Sequence, residues 1–195
     1  MRLKVVVILA LLGLGSAAFA FARQHAATHA TNVAQNSVAA LNPQIERFSD
    51  YKKWKLVNPV PALMDPVAST ACFYVGAHQS PHANKYVSVY VNEVGREAML
   101  TQQKPRFPVG SIIVKEKLGT TNISTAPELL TAMVKREPGY DPNNGDWEYL
   151  TLNGAATEVM TSGKLKDCQS CHSSYKHTDY ITRTYLPHEI VKNLK

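Results

Sequence analysis

Five residues near the C-terminus carry the most specific chemistry in the chain: Cys168-Gln169-Ser170-Cys171-His172. In C-x-x-C-H two thiols stand one helical turn apart, so each can add to a vinyl group of one porphyrin and form a thioether. The histidine that follows then lies beneath the ring and offers an imidazole nitrogen to iron. The spacing is read as an attachment site for one covalent haem c, with Cys168 and Cys171 as anchors and His172 as the axial iron ligand. Competing chemistries fit less well. A redox C-x-x-C usually sits at the start of a βαβ unit, and no such pattern surrounds this one. A zinc site wants a second ligand pair at regular spacing. His177 and His188 lie downstream, but no second cysteine pair accompanies them.

The chain has 3 cysteines, an odd count. Haem attachment uses two and leaves Cys72, in the apolar run Ala71–Gly76, as a small core residue. The second axial position of the iron decides the function. A protein ligand there, from among Met64, Met99, Met133, Met160, His78, His82, His177 and His188, would make a six-coordinate electron carrier. An open position favours small-ligand binding or catalysis. No motif singles out any of the eight.

The elements that must position this site read mainly as strands. Lys85–Asn92 alternates Tyr86, Ser88 and Tyr90 on one face with Val87, Val89 and Val91 on the other. Gly110–Leu118 and Trp147–Leu152 are further strands, and Ala71–Gly76 is a short one. Glu93–Gln103 reads as a helix with Ala98, Met99 and Leu100 on its apolar side, stopped by Pro105 and Pro108. A short amphipathic helix follows Pro43, using Ile45, Phe48 and Tyr51. Lys164–His172 is a turn into a short helix. Pro127–Glu137 has good helix formers but no decisive period. The sum is an α+β fold: a mainly antiparallel β-sheet with a few short helices.

The N-terminus reads as an address. Arg2 and Lys4 precede an apolar run from Val5 to about Leu14, and small residues follow, with Ala18-Phe19-Ala20 and Ala20-Phe21-Ala22 as cleavage sites. The run is shorter than the roughly 20 residues that span a bilayer. The expectation is a signal peptide over residues 1–22, cleaved near Ala20 or Ala22, and a periplasmic or otherwise exported protein. Residues 23–48 read as a linker or loosely packed helix, and 49–195 as the haem domain. Export suits covalent haem, because a dissociated cofactor would be lost outside the cell.

Composition agrees with one folded domain of 195 residues, 45% hydrophobic and 18% charged. That excludes a disordered polar chain and a multi-span membrane protein. The formal charge of +6 includes Arg2 and Lys4 and falls to +4 without them. The basic residues are interleaved with acids, so no nucleic-acid partner is expected.

With Gly110-Ser111-Ile112-Ile113-Val114-Lys115-Glu116 upstream of a C-terminal C-x-x-C-H, the chain resembles the cytochrome P-460 family, itself similar in fold to the cytochromes c′-beta. The resemblance also rests on Tyr51–Asn58, on the strand Val87–Asn92 before a helix, on Gly145-Asp146-Trp147-Glu148 and on Thr178-Asp179-Tyr180. It implies a homodimer of antiparallel sheets with one five-coordinate haem per subunit, a small nitrogen-containing ligand or substrate, and a redox partner protein. It implies hydroxylamine oxidation where a lysine is bonded to the haem, and nitric oxide binding where it is not. Lys115 matches that lysine, and Pro127–Glu137 matches a strand. The alignment puts Thr131 where the hydroxylamine oxidisers carry a glutamate; Glu128 would need a shifted register. Pattern alone puts Lys115 in solvent. Phe107 and Met133 are candidates for an apolar distal pocket. The alternative to these activities is a six-coordinate electron-transfer cytochrome c.

Overall fold

The computed structural model describes residues 43–64, 85–119 and 126–195. The expected signal peptide, most of the linker, the Ala71–Gly76 strand, Cys72, His78 and His82 lie outside the described residues. Seven strands form one antiparallel sheet: β1 (Lys55–Leu56), β2 (Ala62–Leu63), β3 (Tyr86–Val91), β4 (Ile112–Lys117), β5 (Leu129–Lys135), β6 (Trp147–Asn153) and β7 (Val159–Gly163). The order across the sheet is β1-β3-β4-β5-β6-β7, with β2 also paired to β3. The helices are short: α1 (Pro43–Glu46), α2 (Glu93–Leu100), α3 (Lys166–His172) and α4 (His188–Val191). The fold is α+β, as the sequence predicts. Among the described residues no helix is long and apolar enough to cross a membrane.

Register assigns the side chains to faces. Val89, Lys115, Thr131, Thr151 and Thr161 lie in one row across β3 to β7. The neighbouring row holds Val91, Ile113, Met133, Tyr149 and Gly163. This front face carries a core of Val87, Val89, Val91, Met99, Ile113, Met133, Trp147 and Tyr149, closed by Tyr180, Ile181, Tyr185 and Leu186 from the C-terminal segment. The back face carries Ile112, Val114, Leu130, Ala132, Val134, Leu150 and Leu152 against Ile45, Phe48 and Tyr51. Among the described residues, Ile45 and Phe48 are thus part of the packed body, ahead of residue 49. Ile45 and Phe48 are buried because the back of the sheet would otherwise expose a continuous apolar surface.

The segment Pro127–Glu137 is the strand β5. Its period was obscure because both faces are covered, which removes the usual alternation. Asn92 caps α2 by accepting from the Gly95 N–H and also accepts from the Ile112 N–H, so it ties the helix to β4. Arg183 donates to the carbonyls of Met99, Gln102 and Gln103, which pins the C-terminal segment to the end of α2.

Candidate functional site

The motif forms the second half of α3, with Cys168 and Cys171 one turn apart and His172 at its end. Gln169 donates to Asp141 Oδ2 at 2.6 Å, which docks the helix on the loop before β6. Cys168 is a free, half-buried thiol. Burial, then the charge of Asp167, push its pKa up to about 11, so it stays protonated. Cys171 is disulfide-bonded. Thioether formation at both positions requires thiols, so attachment needs this chain in its reduced form.

His172 is buried, and its Nδ1 lies 2.6 Å from the Tyr180 carbonyl. A carbonyl can only accept, so Nδ1 carries the proton and Nε2 keeps its lone pair. This is the arrangement in which a metal-ligating histidine is oriented by a bond from its other nitrogen. Burial, then the charge of Lys115, push the imidazole pKa down to about 4, against a smaller opposing effect of the Tyr180 bond. The ring is therefore neutral near pH 7 and able to donate to a metal. It lies 5.3 Å from the ring of Tyr149.

Every side chain of β4 is buried, which overturns the expectation of a solvent-facing lysine. Lys115 is 6% exposed, with its Nζ 4.9 Å from the Tyr185 ring centroid. The strand is covered on both faces, so an alternating sequence does not imply a wet face. Burial pushes the Lys115 pKa down to about 7, leaving a large neutral fraction at neutral pH. Lys117, on the same face, is 1% exposed, and its pKa is also driven well down by burial and then by Lys115. It is the site residue the sequence reading passed over. Three consecutive odd positions on one face (Ile113, Lys115, Lys117) were visible, but not that the face was covered.

The other candidates separate cleanly. Thr131 stands directly across from Lys115 and is half-buried. Glu128 precedes β5 and pairs with Lys85, with its side chain 55% exposed, so it is no part of the pocket. Met133 and Phe107 both belong to the front core; Phe107 packs edge-on against Trp147 at 5.5 Å. Met64 and Met99 are also core residues, whereas Met160, His177 and His188 are exposed.

The hydroxyls of Tyr149, Tyr185 and Thr182 are buried with no partner among the described residues. An unsatisfied buried hydroxyl costs about 1–3 kcal/mol. Tyr149 abuts His172 and Tyr185 abuts Lys115, so an occupant bearing polar groups would complete this region. Among the described residues no three His, Cys, Asp or Glu side chains cluster as a metal site made by protein alone. One neutral imidazole, two cysteine positions a turn apart and a polar-lined wall fit a porphyrin that supplies the remaining metal ligands itself.

Fold and site together define a haem protein of the c type. The family model for Cytochrome P460 matches residues 48–183, and the chain belongs to that family. It is a c-type haem cytochrome. A search of curated proteins found no match to the chain.

Proposed function

We propose that the chain is an exported cytochrome with one covalent haem c, held by thioethers from Cys168 and Cys171, with His172 as axial ligand and the opposite iron position open to a small nitrogen species. The observation that carries this reading is the convergence of a neutral His172, with Nε2 available, and a buried amine, Lys115, on one covered sheet face. When bound, the haem supplies a redox-active iron and a coordination position. Lys115, poised near pH 7, is suited to act as a nucleophile towards the porphyrin or as a proton acceptor beside it.

Two activities remain within this reading. Hydroxylamine oxidation requires a base to take substrate protons. The positions flanking Lys115 on its sheet face are Val89 and Thr131, neither of them an acid. This favours capture of nitric oxide, which needs no base; hydroxylamine oxidation on a Lys115-linked haem would need a base from elsewhere. A redox partner protein, delivery to the periplasm after cleavage near Ala20 or Ala22, and a homodimer formed through exposed sheet edges complete the proposal.

The test is mass spectrometry of haem peptides from protein matured by c-type assembly machinery. Haem on the Cys168–His172 peptide alone supports a ligand-binding cytochrome. Haem joining that peptide to one containing Lys115 supports the cross-linked chemistry, and hydroxylamine turnover then follows as the assay. Thr131→Glu, which places a carboxylate across from Lys115, is expected to raise that turnover. Cyanide titration addresses the competing electron-carrier reading, because an iron with two protein ligands resists added ligand.

A further inference from the structure

The Thr178-Asp179-Tyr180 motif has no role in attachment, yet it is the most heavily anchored turn near the site. Asp179 and Tyr180 have φ values of 52° and 65°, two consecutive non-glycine residues in the left-handed region. Such a residue is strained and persists only where the surroundings over-determine it. Here they do. Asp179 is 4% exposed, and both its carboxylate oxygens accept from Lys135 Nζ at 2.8 Å. Oδ2 also accepts from the Phe107 N–H at 2.9 Å. The Asp179 carbonyl accepts from the Trp147 indole at 2.8 Å. The Tyr180 hydroxyl donates to the Asn143 carbonyl, and its ring lies where a Cβ on Gly145 would sit, at 2.5 Å. All of these anchors fix one carbonyl, that of Tyr180, against His172 Nδ1.

We infer that Asp179 is a positioning residue for His172: its carboxylate, clamped by Lys135, holds the strained turn whose carbonyl dictates which imidazole nitrogen is offered to iron. The inference rests on His172 being the axial ligand. A strong acceptor on Nδ1–H raises the basicity of Nε2, strengthens the iron–histidine bond and lowers the reduction potential. Asp179→Asn removes the charge that clamps the Lys135 ammonium and replaces one of its two acceptor oxygens by an NH2 group, so the turn loosens and the Tyr180 carbonyl drifts from the ring.

The experiment is resonance Raman spectroscopy and redox titration of the ferrous, haem-loaded protein. Asp179→Asn is expected to move the iron–histidine stretch to lower frequency and the potential upwards. Trp147→Phe, which removes the indole donor to the turn along with some core volume, should shift both in the same direction by less, and Lys135→Arg should retain wild-type values. Leu130→Ala, a core truncation on the opposite face, should destabilise without shifting either. A wild-type protein lacking an iron–histidine band overturns the five-coordinate, His172-ligated reading on which the inference rests. A wild-type band left unmoved by Asp179→Asn, or moved equally by Leu130→Ala, overturns the positioning role while leaving that reading intact. Should Asp179→Asn fail to accumulate, Trp147→Phe decides: a shift supports the inference and its absence overturns it.

Discussion

On the back of the sheet Glu116 and Glu148 are buried, and cations from the chain itself meet each of them. Glu116 accepts from the Tyr51 hydroxyl at 2.8 Å and pairs with Lys52 at 2.6 Å. Glu148 pairs with Arg136 at 2.7 Å and Arg47 at 3.4 Å. On the front, one residue along the same strand, the Lys115 amine meets the ring of Tyr185 and no carboxylate among the described residues. Tyr149, Tyr185 and Thr182 keep unmatched hydroxyls nearby. The difference separates structure from function. Buried charge that serves the fold is neutralised within the fold; polar groups left unneutralised under cover await something the chain does not supply.

The largest test of that contrast is Cys168→Ala combined with Cys171→Ala. It should abolish covalent haem, read by haem staining of denatured protein, while the back face stays intact by circular dichroism. Next comes Lys115→Met. In protein whose haem is attached through Cys168 and Cys171 alone, it should stabilise by roughly 2–4 kcal/mol at pH 7, because an apolar chain replaces a desolvated amine. The pH dependence follows. Lys115 titrates near 7 when folded and at 10.5 ordinarily, so between those values the unfolded chain binds more protons. Wild-type stability should therefore rise from about pH 7 to about pH 10, and the variant should lose the part of that rise due to Lys115 while keeping what buried Lys117 contributes, as measured by urea unfolding at both ends.

The back face should behave oppositely. Glu148→Ala should destabilise by about 1–2 kcal/mol, discounted because Arg47 and Arg136 remain partly in water. Tyr51→Phe should cost about 1 kcal/mol, the worth of one hydrogen bond to a charged group whose second partner survives. Stabilisation by either back-face variant would break the comparison.

Legibility in the sequence followed locality. Cys168, Cys171 and His172 are set by helical spacing within one turn, so the spacing alone was enough to point to a c-type haem site. The valines of β3 declared their face because Tyr86, Ser88 and Tyr90 mark the other. Leu129–Lys135 did not, since Leu130, Ala132 and Val134 are buried behind while Met133 is buried in front. The lysines of β4 were unreadable for a related reason: what covers them comes from Tyr185, 70 positions along the chain. The clamp on His172 was invisible, because its last link is a backbone carbonyl, which no residue type announces, and its ion pair joins Lys135 to Asp179 across 44 positions.

All seven strands precede Cys168 in the chain. Synthesis delivers the N-terminus first, so every described strand has been made before either thiol of the motif emerges. On the proposed reading, haem attachment waits for the last part of the chain, and a chain interrupted before α3 would retain every described strand yet lack the Cys168 and Cys171 anchors and His172.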